Sequence, residues 1–265
     1  MNIFLHEIRA GRKTMIIWTV SIVALIALFM LMFPGIEKDA SAFQKMLDSY
    51  PEPIRKGFGT AMENVTTILG FYSFIFVFVV LCGAIQAMNL GVSVLSKESR
   101  EKTADFLLTK PVSRARIMTS KLLAALTLIA VTNVISYAAA AISASFAHSG
   151  GYDQKALFLI NASLFLVQLF FLALGILISV FFRRLKSVVP VSMGAVFALF
   201  FVGMFLASDK DDPARYFSPF KYFDTGYIIK NSGYEIRYLI TVIVFVTAAV
   251  TASYIIYSRK DIHAV

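Results

Sequence analysis

Six stretches of this sequence contain no Asp, Glu, Lys or Arg: residues 14 to 36, 64 to 96, 122 to 152, 156 to 182, 187 to 208 and 238 to 258, each at least 21 residues long. A hydrocarbon core about 30 Å thick is crossed by about 20 residues rising about 1.5 Å each, so every one of them can span a bilayer. The chain is 58% hydrophobic and only 15% charged, against about 45–50% and roughly 25% in soluble domains. The gathering of the charges into short clusters between long runs says more than the totals. Backbone groups in lipid must pair internally, which leaves helices or closed barrels, and continuous Leu, Ile, Val, Phe and Ala runs lack the alternation of barrel strands. The expected fold is all-α and integral to a membrane, with spans at approximately 15–35, 67–95, 122–147, 156–182, 188–208 and 238–258 in one domain over residues 1–265.

The first run follows Arg9, Arg12 and Lys13, as a secretory signal would. Its apolar stretch from Met15 to Phe33 is too long for a signal core, and Pro34-Gly35-Ile36-Glu37 is no small-residue cleavage site, so it reads as a retained helix. With the N-terminus in the cytoplasm, the inner segments 1–13, 97–121, 183–186 and 259–265 carry 15 Lys and Arg in 49 residues, and the outer ones carry 10 in 59. The positive-inside rule therefore favours two cytoplasmic termini in a multi-pass protein of a prokaryotic plasma membrane. Cys82 is the single cysteine, which excludes an intramolecular disulfide and a cysteine metal site.

Before the first span, Ile3, Phe4, Ile8 and Met15 alternate with His6, Glu7, Arg9, Arg12 and Lys13. That spacing predicts an interfacial helix carrying Glu7, Ile8 and Arg9, with a basic unstructured flank as the alternative. Phe43, Met46, Leu47 and Tyr50 predict a short amphipathic helix ending before Pro51-Glu52-Pro53, able to lie on the outer membrane face. Segment 208–237 holds Asp209, Asp211, Asp212, Asp224 and Glu235 and cannot span. Its aromatic run Tyr216, Phe217, Phe220, Tyr222 and Phe223 leaves open whether it touches lipid or dips into the bilayer edge. Polar residues inside the runs (Gln86, Asn89, Thr132, Asn133, Ser136, Tyr137, Asn161, Ser163 and Gln168) either line a substrate path or bond helices to one another, the second being preferred. Small residues from Ser136 to Ser145 suit close packing, within the chain or with a second copy.

Several chemistries are missing. The sequence has no Gly-x-x-x-x-Gly-Lys-Ser/Thr phosphate loop, no His-Glu-x-x-His zinc site among His6, His148 and His263, and no nucleophile elbow. No Asp, Glu, Lys or Arg sits centrally in a run to couple a proton or sodium gradient. The chain is therefore not read as an enzyme, holds no cofactor or metal of its own, and has no nucleic-acid partner.

The most informative stretch is the inner loop after the second run. Charged at Lys97, Glu98, Arg100 and Glu101, it then offers Phe106, Leu107 and Leu108 before Pro111, which ends a helix. Ser113 can cap the next helix, which runs on through Lys121. An apolar tip in a charged loop suits a docking element, or alternatively packing against the membrane surface.

These residues resemble the permeases of ABC-2-type ABC transporters, similar to those of nitrous-oxide-reductase maturation and bacitracin resistance. The family pattern is matched by Glu98, Thr103, Leu107, Leu108, Pro111, Val112, Ser113, Arg114 and Lys121, with Lys102 where a glycine is usual. Further likeness covers Glu7-Ile8-Arg9, Tyr50-Pro51-Glu52, Gly70-Phe71 and Ser218 to Asp224. The resemblance implies that the 97–116 loop, with Glu98, Glu101, Thr103, Phe106, Leu107, Leu108, Pro111, Val112, Ser113 and Arg114, contains a cytoplasmic coupling helix seated in a separate ATPase subunit. It implies too that ATP and Mg belong to that partner, and that a second permease copy or homologue completes an export pathway. A membrane-embedded sensor using the same loop is the rival reading, with an ion-coupled carrier behind it.

Overall fold

The computed structural model describes residues 3–51, 65–101, 113–147, 151–182, 187–205 and 213–259. Among them six helices are long and apolar enough to cross a membrane: Ile3–Lys38, Ile68–Val94, Arg114–Ala147, Gln154–Phe181, Val188–Phe205 and Ile236–Ser258. The chain is an all-α integral membrane protein. The coupling helix foreseen between the second and third spans, with Thr103, Phe106, Leu107, Leu108, Pro111 and Val112, falls outside the described residues.

Helix α1 runs unbroken over Ile3–Met30. The interfacial segment foreseen around Glu7, Ile8 and Arg9 is thus the first two turns of the spanning helix and not a separate element. No proline interrupts residues 3 to 33, and one inward stripe continues through Gly11, Thr19, Ile22, Ile26 and Met30 at spacings of three, four and eight. Gly11 belongs to it because a Cβ there would lie 2.6 Å from the Leu128 side chain. Pro34 sits in the first turn of α2, Phe33–Lys38, and α3 follows as Ala40–Asp48. The short helix foreseen here exists; Leu47 is buried against Val65 and Phe43 meets Phe71 at 6.3 Å, so that part of its apolar face packs on the protein, while Met46 and Tyr50 stay exposed.

Helix α4, Ile68–Glu101, and α5, Arg114–Ala147, each have 34 residues. At about 1.5 Å per residue each is about 51 Å long, well beyond a hydrocarbon core of about 30 Å. Helix α6, Gln154–Phe181, starts at Asp153, whose carboxylate accepts from the N–H groups of Lys155 and Ala156. Those bonds, the Ala156 one foremost, hold the Asp153 carboxyl below its ordinary range. Helix α7 spans Val188–Phe205, and α8, Thr225–Asn231, and α9, Ile236–Arg259, complete the order.

The centre is the α4–α6 pair, 72% and 61% buried along their most apolar stretches against 17% for α9. They meet most extensively of all element pairs, with α1 and α5 forming the next. At the α4–α6 crossing Gly91 faces Gly175: a Cβ on Gly175 would stand 2.8 Å from the Met88 carbonyl oxygen and 3.0 Å from the Gly91 Cα. Only glycine permits backbones this close.

The segment before α9 folds into the protein. Two 3₁₀ turns, Pro213–Phe217 and Pro219–Lys221, lead into α8. Tyr222 and Phe223 are buried, and Phe220 lies 5.2 Å from Phe171 and 5.3 Å from Phe200. Ser218 donates to the Leu199 carbonyl at 2.9 Å, in space left open by the missing side chain of Gly203. Phe217, 68% exposed, is the ring of this run left most open.

Candidate functional site

At the end of the bundle where α1 begins and α9 ends, the first turns of α1, the last turns of α4 and the first turns of α5 meet. Ser113 caps α5 by accepting from the Arg116 N–H at 3.3 Å. Arg114 reaches the Tyr257 carbonyl of α9 at 3.5 Å, and the Thr119 and Tyr254 hydroxyls are 2.8 Å apart. The entry of α5 is thereby tied to the exit of α9. Glu98 and Glu101 lie on the last turns of α4, with side chains outside the described set.

Lys121 is the centre of this junction. Its side chain is 2% exposed, its Nζ donates to the Val94 carbonyl of α4 at 2.6 Å, and the Glu7 carboxylate of α1 stands 3.7 Å away. One ammonium therefore joins three helices. An ion taken out of water is tolerated only when paired and hydrogen-bonded, and both conditions are met. Ile8 is half-buried next to Glu7, whereas Arg9 is exposed. The sequence singled out Glu7 and Lys121 separately, without a signal that they meet.

Deeper in the same helices lies a polar network. Thr132 of α5 accepts from Gln86 Nε2 at 2.9 Å, lies 2.9 Å from the Thr19 hydroxyl of α1, and donates to Leu128 O at 3.1 Å. Gln168 of α6 accepts from Asn133 and donates to Gln86 Oε1 at 3.2 Å and Gly83 O at 3.3 Å. The Tyr72 hydroxyl donates to Asn161 at 2.8 Å. These polar residues thus bond α1, α4, α5 and α6 together, as preferred from the sequence, while Thr19 was unforeseen because a lone hydroxyl in an apolar run carries no signal. Asn89 Oδ1, Asn133 Oδ1 and Ser136 Oγ are buried without a partner among the described residues.

At the opposite end Arg215 is buried. It donates to Glu235 Oε1 and to Lys221 O, each at 2.9 Å, and lies 4.3 Å over the Tyr238 ring. Burial pushes Lys221 down to about 8, against the upward pull of Asp224, with Arg215 adding a smaller downward push. This cluster fixes the turns before α9.

Among the described residues no group of three or more His, Cys, Asp or Glu gathers as a metal site would. The polar clusters described bond helices to one another. A family model described as ABC-2 family transporter protein matches residues 1–262. No curated protein is matched by the chain.

Proposed function

Since the chain belongs to the ABC-2 family of transporter proteins, and is a membrane permease of an ABC transporter, we propose that it forms the pathway of an exporter driven by a separate ATPase through the loop between α4 and α5. The observation that carries this reading is the projection of α4 and α5 beyond the charge-free runs, the two helices being joined at the edge of those runs by Lys121 and Val94 O. A loop mounted on two rigid, clamped helices can pass a push into the membrane, whereas one on frayed ends would absorb it. Closure of the ATPase pair would then favour one arrangement of the helices over another by differential contact. ATP and Mg belong to the partner in this reading, and a second copy or homologue of the permease completes the pathway.

The test is co-purification and vesicle transport with a co-expressed ATPase. Truncating Leu107 and Leu108 together to Ala should remove about 1.5–3 kcal/mol per side chain if each is buried in the partner. The variant should insert normally, hold the ATPase weakly and transport poorly. Normal ATPase retention and normal transport would show that coupling lies elsewhere, and gradient-driven uptake without ATP would remove the reading.

We place both termini in the cytoplasm on the lysine and arginine distribution. In a Cys82→Ser background, an impermeant thiol reagent added to intact cells should label Asn231→Cys and spare Ser187→Cys. Labelling of Ser187→Cys alone would reverse the orientation.

A further inference from the structure

We propose that the outward face of the first turns of α1 is a docking site for an anionic phospholipid in the leaflet surrounding the N-terminal end of the helix. Arg9, Arg12 and Lys13 are exposed there and have no ion-pair or hydrogen-bond partner among the described residues. Glu7 is the one acid in the first 36 residues, and the fold turns it inward onto Lys121. The segment's negative charge is thus spent inside the protein and its positive charge is left outside.

The apolar half of the site follows on the same face. With about 100° between successive residues, Arg9, Lys13, Ile16 and Val20 fall within an arc of about 60°. Ile16 is 51% exposed, Ile17 66% and Val20 60%. A cationic patch thus passes within one helical turn into an uncovered apolar strip. Because α1 is continuous from Ile3 to Met30, the span itself holds the cations at a fixed height above that strip. A soluble acidic partner could neutralise the charges but would leave the strip bare. A lipid satisfies both, its phosphate on the guanidinium and ammonium groups and its acyl chains along Ile16, Ile17 and Val20. The inference does not depend on cargo, on orientation or on how the ATPase couples.

The test is native mass spectrometry of the purified permease equilibrated with equal amounts of dioleoyl phosphatidylglycerol and dioleoyl phosphatidylcholine. Three cations near an anionic surface, each contributing several-fold, should give at least a ~10-fold preference for phosphatidylglycerol at low salt. The R9Q/R12Q/K13Q variant should bring the preference to within about twofold of unity, and Arg12→Gln alone should lower it several-fold. Arg116→Gln, at an exposed cation on α5, should leave it unchanged. Glycerol 1-phosphate, which has the anion without the chains, should not displace bound phosphatidylglycerol. Equal retention of the two lipids by the native protein, an undiminished preference in the triple variant, or displacement by glycerol 1-phosphate would each overturn the proposal. So would a triple variant that keeps its lipid preference but loses the co-purifying ATPase, since the face would then dock protein.

Discussion

Gly91→Ala, the addition of one methyl group, should lower the melting temperature of the purified permease by roughly 5–10 °C, and Gly175→Leu should prevent its accumulation in the membrane. At Gly91 a Cβ would overlap the Leu172 carbonyl oxygen and stand 3.0 Å from the Gly175 Cα. All of these are backbone atoms of packed helices and cannot rotate aside as a side chain end would. Relief requires α4 and α6 to separate, and they form the largest contact in the protein. Overpacking a tight site costs about 1–3 kcal/mol. The separation would also stretch the Gln168 bonds to Gln86 and Gly83, which lie along the same helix pair. In lipid, close van der Waals contact and such polar bonds are the main terms holding helices together. Gly194→Ala on α7 is the control: nothing lies within 4 Å of its added Cβ, and alanine gains about 0.8–1 kcal/mol of helix propensity. If Gly91→Ala melts with the native protein, the crossing is looser than these distances indicate.

That crossing shows where the sequence stops being informative. The six spans were legible because a bilayer imposes a local rule, about 20 residues without charge, and each residue obeys it independently of the others. Helix pairing is not local. Nothing near Gly91 names Gly175, and glycines with open space, such as Gly35 and Gly194, look the same along the chain. The polar residues were legible as interhelical glue through their cost in lipid, but not that Gln168 would choose Gln86, 82 positions away. The interfacial element was misjudged as separate for a related reason. Charge at Arg9, Arg12 and Lys13 marks a change of environment, whereas the backbone breaks only where proline, cap or turn chemistry breaks it, and none occurs before the turn at Leu31 and Met32 that leads to Pro34. Of the foreseen site, the Ser113 cap was readable from a local motif. The burial of Lys121 was not, because it depends on an acid 114 positions earlier.

That acid and Lys121 should respond to mutation asymmetrically. Glu7→Gln leaves an ammonium that is 2% exposed without the Glu7 carboxylate, whereas Lys121→Met leaves a carboxylate that is 21% exposed and can reach water. Breaking a buried pair by removing one partner costs about 3–5 kcal/mol, so Glu7→Gln should approach that loss and Lys121→Met should fall short of it. Both should lower the melting temperature and weaken retention of the ATPase, because the ammonium holds α1 and α4 to α5 beside the loop we assign to coupling. The double variant Glu7→Gln/Lys121→Met buries no net charge, and replacing a whole ion pair by groups of similar volume is often neutral or stabilising. It should therefore recover most of the melting temperature lost by Glu7→Gln. The thermal melts of the three variants decide the point. A double variant as unstable as the worse single one would mean that shape and the Val94 hydrogen bond, not charge balance, hold this junction together.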